Sequence, residues 1–264
     1  MATSSSSTID TSRAKKPATE IVGPGSATSD AAAIHRREFK FIYPRTALDD
    51  LRDVLSVNAR AIAFGDGPVS EVRSIYFDDD HLTSCRQSLD GIDPRNKVRI
   101  RWYDRPWPQE HVIFELKHKR GNYVSKSRSS VSLGQGVEEQ SYAEIRAKLS
   151  AALPSSQAAR LAAWWNPTML VSYRRQHFLD RNTPIRMTLD YDIHGFDQSA
   201  SSRPTNLFGV PYDEVVVLEV KAPIGFEADV NQLLYPFKPR LSRMSKYAQC
   251  CAIMGWQGDV TGEI

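Results

Sequence analysis

The chain has 264 residues, 41% hydrophobic and 25% charged, enough to bury one substantial core in a single soluble globular domain. Its 34 Lys and Arg against 31 Asp and Glu leave a formal net charge of only +3, which argues against a nonspecific nucleic-acid binder coated in cations. No apolar run approaches a membrane span, no basic-then-apolar leader is visible, and Cys85, Cys250 and Cys251 show neither metal-ligand spacing nor an even framework, so a reduced, cytoplasmic setting is expected.

Residues 1–33 are rich in Ser, Thr, Ala, Gly and Pro and read as a disordered tail, with 257–264 as a short second tail and 34–256 as the folded domain. The first strand is expected at 36–42 and a helix at about 45–58, with Leu48, Leu51, Val54 and Leu55 on one side. Gly65-Asp66-Gly67-Pro68 is a turn signal, and strand 72–77 follows it. Asp78-Asp79-Asp80 reads either as a cation site or as a turn capping a helix start, the second reading resting on the preference of Asp for caps. Strands 97–103 and 113–119 form a hairpin, with a further strand at 123–131. Ser141-Tyr142-Ala143-Glu144 is a capping box opening one helix, and a second helix runs from about 155 to 165, its Trp164-Trp165 pair being packing aromatics. Strands at 169–178 and 185–191 flank a turn at 180–182. A loop at about 197–211 leads to strand 215–221, and helical pieces at about 226–235 and 245–254 close the ordered chain.

The strands share an unusual pattern. Successive strand side chains point to opposite faces, so Lys97, Arg99 and Arg101 share one face against Val98, Ile100 and Trp102. Glu115, Lys117 and Lys119 line up in the same way, as do Glu38 with Lys40, Lys126 with Arg128, Arg186 with Asp190, and Glu219 with Lys221. Arg73 sits in a strand without clean alternation and could point either way. His118, between Lys117 and Lys119, is expected to pack on the other face. A half-buried sheet with its charges in water is the simple reading. Two like charges about 7 Å apart, however, repel by roughly 2–3 kcal/mol at an effective dielectric near 20. A face that repeats such contacts makes sense if a polyanion neutralises it. Seven or eight antiparallel strands with interspersed helices point to an α+β fold built on a closed eight-stranded barrel.

The chain lacks a GxxxxGK[ST] loop, a GxGxxG and an HExxH. What remains is a cationic lining with a few carboxylates on the same face. Arg and Lys in such a lining hold phosphates by charge-assisted bonds. Carboxylates beside them either hold Mn²⁺ or Mg²⁺ together with phosphate oxygens or pair with neighbouring cations. Glu219 is the leading metal ligand, Glu115 the second candidate, and a salt bridge of Glu219 to Lys221 the competing assignment.

Glu38-Phe39-Lys40, Arg73 to Asp78, Lys97 to Arg101, Phe114 to Lys117, Tyr173-Arg174-Arg175, Arg186 to Asp190, Leu218 to Lys221 and Ser245-Lys246-Tyr247 together, in that order, resemble the VTC domain. That is the polyphosphate polymerase domain of vacuolar transporter chaperone proteins, a relative of the CYTH triphosphate tunnel enzymes. The resemblance implies a tunnel of eight strands, charged inside and covered by helices outside. It implies that Lys40, Arg99, Arg101, Lys117, Lys126, Arg175, Arg186 and Lys246 bind the phosphate chain and that Glu219 holds the metal. Only one of Arg174 and Arg175 can face inward.

Three activities stay open on this basis. The first is transfer of the ATP γ-phosphoryl to a growing polyphosphate, with Arg99, Arg101, Lys117, Arg175, Arg186 and Lys246 acting on the reacting phosphates. Lys40, Arg73, Lys97, Lys119, Lys126, Arg128 and Lys221 would then hold the rest of the chain. The second is hydrolysis of triphosphate or nucleoside triphosphate in the same lining. The third is polyphosphate binding without turnover, beside a membrane partner protein. Nucleic acid is not expected as a partner, because no exposed aromatic row is present to stack bases.

Overall fold

The computed structural model describes residues 36–64, 67–121, 123–237, 240–242 and 244–256. The tails expected at 1–33 and 257–264, and half of the turn at 65–68, lie outside the described residues. Ten strands belong to one antiparallel sheet: β1 (Arg36–Pro44), β2 (Ala59–Ile62), β3 (Val69–Asp78), β4 (Arg95–Tyr103), β5 (His111–Arg120), β6 (Tyr123–Ser132), β7 (Asn166–Asp180), β8 (Arg186–Asp197), β9 (Val210–Tyr212) and β10 (Val215–Pro223). The principal path runs β1-β10-β8-β7-β3-β4-β5-β6, with β2 paired to β7 and β9 to β8. The short strands β2 and β9 were not expected.

The sheet curls but does not close. β1 and β6 end the path without a ladder between them, so the expected closed barrel is a half-barrel. A physical reason lies at β1: its free edge is already engaged by Leu241 and Ser242, through a bridge to Phe41 and a hydrogen bond from the Ser242 amide to the Lys40 carbonyl at 2.8 Å. An edge strand whose backbone groups are partly satisfied has less to offer another strand.

The convex face is apolar and covered by helices. α1 (Leu48–Asn58) and α5 (Glu227–Leu234) pack on Phe41, Leu189, Leu218 and Val220. α3 (Tyr142–Ala152) and α4 (Ser155–Ala163) cover Ile75, Val98, Ile100 and Phe114. The expected capping box at Ser141 and Glu144 is formed. Each of these two clusters buries more than a dozen apolar side chains, worth about 1.5–3 kcal/mol apiece, so the alternation on the strands is enforced from outside.

Two helices lie instead against the concave face. α6 (Lys246–Ile253), with α2 (Thr83–Asp90) beside it, packs on Val72, Tyr76, Val171, Ile193 and Val217. Gly195 allows this approach, because a Cβ there would come within 2.7 Å of the Cys250 Cβ. Asp78 and Asp79 cap α2 as expected: Asp78 Oδ1 accepts from the Ser84 amide at 2.9 Å and Asp79 Oδ1 from the Thr83 amide at 2.9 Å. Asp78 Oδ2 also accepts from the Tyr247 hydroxyl at 2.7 Å, tying α2 to α6. A bulge between β7 and β8, with Asp192 at φ 51°, lets both Asp190 and Ile193 face the concave side. The concave lining therefore changes from charged to apolar along one strand. No described helix is long and apolar enough to cross a membrane, and all three cysteines are buried free thiols.

Candidate functional site

The charged part of the concave face is built by strand register. Arg99 pairs with Glu115 across β4 and β5, and Glu115 with Arg128 across β5 and β6. Arg175 pairs with Asp190 across β7 and β8. On the other limb Lys40 pairs with Glu219 and Glu38 with Lys221.

Two buried carboxylates act as hubs. Glu115, its side chain 2% exposed, accepts from Arg99 Nε at 2.6 Å on Oε2 and from Arg128 Nε at 2.6 Å on Oε1; Lys126 Nζ lies 2.9 Å from Oε1 and Arg101 at 3.9 Å from Oε2. Burial opposes its charge, but Arg99, Arg101 and Lys126 outweigh burial and hold the carboxyl far below the usual range. Asp190, with no exposed surface, accepts from Arg175 through both oxygens and from Lys246 Nζ at 2.5 Å. Burial again opposes ionisation, and Arg175 and Lys246 bring the carboxyl down to about 2. The cations themselves are aimed further by aromatic residues. Arg99 Nη1 donates to the Tyr76 hydroxyl at 2.7 Å, Arg101 donates to Ser74 and Tyr173, and Arg175 and Lys246 both lie over the Tyr173 ring.

Glu219 differs. Its Oε1 takes Lys221 at 2.6 Å, while Oε2 has Lys40 and Arg175 only at 4.0 and 3.9 Å. Burial raises it, yet Lys40, Lys221 and Arg175 hold it well below the ordinary carboxylate value. Glu38 reaches Lys40 at 3.1 Å and, from the opposite limb, Lys117 at 3.6 Å.

Three lysines stand in a row. Lys97 is directly opposite Lys117, and Lys117 directly opposite Lys126, on β4, β5 and β6. Like charges directly opposite on one sheet face are destabilising. Burial and neighbouring cations lower the pKa of Lys97 and Lys117, and Lys126 falls to about 7, with burial first and Glu115 opposing it. Lys97 Nζ donates to Ser245 Oγ at 2.6 Å; Ser245 caps α6, so the helix N-terminus and Lys246 join the same cluster. The Met244 carbonyl accepts from Lys40 Nζ at 3.3 Å.

The structure thus brings together Lys40, Lys97, Arg99, Arg101, Lys117, Lys126, Arg128, Arg175, Lys221 and Lys246. Lys119 and Arg186 share their face at the ends of β5 and β8, Arg186 exposed and level with Lys221. Arg73 is a correction: it lies on the convex side with Ile75 and Phe77, bonded to Glu71 at 2.7 Å, because β3 alternates with Val72, Ser74 and Tyr76 inward. Arg174 points away from the cluster toward Asp192 at 3.6 Å, leaving Arg175 as the inward member of the pair. His118 Nδ1 donates to Asn96 Oδ1 at 2.8 Å, off the cluster. The hub role of Asp190 and the aiming roles of Tyr76, Ser74 and Tyr173 were missed in the sequence; Asp190 and Tyr173 share parity with Arg186 and Arg175 on their strands, while Ser74 and Tyr76 carry no such signal, since Arg73 faces the other way.

Among the described residues no group of three His, Cys, Asp or Glu side chains is arranged to hold a metal alone. Glu115 does not fit a divalent ion, since both its oxygens are taken by cations at 2.6–2.9 Å. Glu219 fits as a single carboxylate ligand, because among the described residues Oε2 has no partner nearer than 3.9 Å and a divalent ion can take its other ligands from phosphate and water.

In comparisons with known proteins, no curated protein matches the sequence. Among solved structures the chain is similar to the PH1819 protein from Pyrococcus horikoshii OT3, with a TM-score of 0.44 and 10% identity over 82% of this chain and 99% of that one. The family description of the VTC domain matches residues 35–255, nearly the whole described region. The half-barrel with its concave arginines and lysines therefore belongs to a member of the VTC domain family.

Proposed function

We propose that the concave face binds the phosphate chain of ATP and polyphosphate and transfers the γ-phosphoryl group from one to the other. The observation that carries this reading is the row Lys97, Lys117 and Lys126, held side by side on three strands, where Glu38 and Glu115 offset only part of the like-charge repulsion and a bound polyanion would offset the rest. Membership of the VTC family supports a polyphosphate substrate.

Phosphoryl transfer depends mainly on positioning and on stabilising developing charge. Arg99, Arg101 and Arg175 are pre-aimed by Glu115, Ser74, Tyr173 and Asp190, so little reorganisation is needed when phosphate oxygens arrive. Lys246 and Lys97, gathered at the start of α6, hold neighbouring phosphates. Glu219 would hold Mn²⁺ or Mg²⁺ through Oε2. When bound, such an ion would supply charge neutralisation to the phosphates. No protein nucleophile is needed for the transfer.

The test is incubation of the purified chain with ATP and Mn²⁺ or Mg²⁺, followed by sizing of the phosphate products. Long chains with ADP release support the polymerase. Orthophosphate from tripolyphosphate assigns the site to hydrolysis instead, and tight binding with intact ligand assigns it to a binding module.

A further inference from the structure

Two polar side chains beside Glu219 have no part in the chemistry described so far. Thr188 on β8 lies directly opposite Glu219 of β10 on one side and His177 of β7 on the other, so the three form one row across the sheet. His177 follows Tyr173 and Arg175 at a spacing of two, which puts its ring on the concave face with the arginine. The Phe64 ring packs on the imidazole, with centroids 4.2 Å apart and planes tilted by 46°. The Thr188 hydroxyl is buried and has no hydrogen-bond partner among the described residues, a state that costs about 1–3 kcal/mol until a ligand supplies one. Burial, and then Arg175, push the imidazole down to about 4 against the pull of Asp190, with Lys221 and Glu219 also facing it. The ring is therefore neutral at ordinary pH, with one donor and one acceptor nitrogen.

An acceptor is scarce in this lining. Lys and Arg only donate. Glu115 and Asp190 are filled by cations, Glu38 answers Lys40 and Lys117, and the Tyr76 and Tyr173 hydroxyls accept from Arg99 and Arg101. Glu219 Oε2 is the ligand position for the divalent ion. A face of donors suits the internal phosphates of a chain, which present only acceptor oxygens. The terminal phosphate differs, because it alone has a second ionisable oxygen, with a pKa of about 6, and so bears a P–OH for part of the time.

We propose that His177 and Thr188 read the end of the phosphate chain: an imidazole nitrogen accepts from the terminal P–OH, and the Thr188 hydroxyl donates to another oxygen of the same group. Directly opposite residues on one sheet face have Cβ atoms about 4.5–5.5 Å apart, so a single phosphate group can touch both. The inference rests on the polyphosphate reading of the concave face and adds the substrate class. That class is chains and nucleoside triphosphates ending in a free phosphate, in preference to cyclic phosphates and chains esterified at both ends. Holding the end here brings the one phosphate that can accept a further group beside Glu219.

The experiment measures, by calorimetry, binding of tripolyphosphate and of tripolyphosphate methylated once on each terminal phosphate to the full chain, without divalent ions. At about pH 5 most free ends retain one proton, so the two ligands carry nearly the same charge and differ in whether a P–OH is present. The expected result is about tenfold tighter binding of the free-ended ligand, falling to within about twofold in His177→Phe, which keeps a ring against Phe64 but has no nitrogen. Damage to the fold weakens both ligands alike and leaves their ratio unchanged, so the ratio is the quantity read. His177→Leu gives the same reading where His177→Phe does not fold. Thr188→Val is expected to weaken both ligands by a similar factor of about fivefold, and unchanged affinity for both would overturn the shared contact. A preference that survives in His177→Phe, or equal binding of the two ligands to the unaltered chain, overturns the proposal while leaving the polyphosphate reading intact. If neither ligand binds, the polyphosphate reading and the proposal fall together.

Discussion

Asp190 grips Arg175 through two parallel hydrogen bonds, Oδ1 from Nε at 2.5 Å and Oδ2 from Nη2 at 2.7 Å, and shares Oδ2 with Lys246. One carboxylate with no exposed surface thus sets the position of two cations contributed by β7 and α6. Removing one partner of a buried pair leaves the remaining charges uncompensated, at a cost of about 3–5 kcal/mol. Asp190→Asn is therefore expected to lower the urea unfolding free energy by that order. Tripolyphosphate, by neutralising the freed cations, should restore more stability to the variant than it adds to the unaltered chain. Equal stabilisation of both by tripolyphosphate would show that the ligand does not reach Arg175 and Lys246.

Acid stability follows from the same residue. Asp190 has its pKa lowered from 3.8 to about 2 in the folded protein, so it binds fewer protons folded than unfolded between these values. Its contribution, about 2 kcal/mol, is present above pH 4 and is lost as the pH falls from about 4 to about 2. Denaturant titrations across that window should show the loss, and Asp190→Asn should flatten it.

The two candidate metal carboxylates separate cleanly. Glu219→Gln is expected to abolish the response of turnover to added Mn²⁺, because among the described residues Oε2 has no partner nearer than 3.9 Å. Glu115→Gln should leave the metal response in place but weaken phosphate binding and stability, since Arg99, Lys126 and Arg128 lose their common counter-charge. Activity titrated with Mn²⁺, alongside thermal melts, distinguishes the two. A Glu219→Gln enzyme with unchanged Mn²⁺ dependence would overturn the assignment.

Arg99→Ala tests the positioning argument. Arg99 contributes a charged group already aimed by Glu115 and Tyr76, and a charge-assisted bond is worth about 1.5–3 kcal/mol. Affinity for tripolyphosphate should fall about 10- to 100-fold, and turnover should fall with it. The residual binding should weaken steeply with salt.

Lys126 links binding to pH. Its pKa is lowered to about 7, so near neutrality it is partly unprotonated in the free protein. An arriving phosphate favours the charged form, and binding should take up protons above about pH 7. Calorimetry in buffers of different ionisation enthalpy reads this uptake, which Lys126→Gln should reduce.

How much of this was legible before the chain was folded is clearest from particular positions. Alternation along Lys97 to Tyr103 and Phe114 to Lys119 is a local property of extended backbone. It placed Arg99, Arg101, Glu115 and Lys117 on one face without any knowledge of their neighbours. The order of eight short motifs was enough to mark the family. Arg73 was not legible, because Val72 and Ile75 are both apolar and both buried, one under α6 and the other under the convex helices, so strand periodicity carries no sign there.

The sequence by itself determined eight of the ten strands and the face that carries the charges, since each follows from side-chain chemistry at a spacing of two. Only the tertiary structure decided that Glu115 and Asp190 are counter-charges that aim arginines, that α6 occupies part of the concave face, and that the sheet stays open between β1 and β6. Those outcomes depend on which strands become neighbours and in what register. Such long-range pairings are selected by the packing of the whole core and leave no period in any one segment.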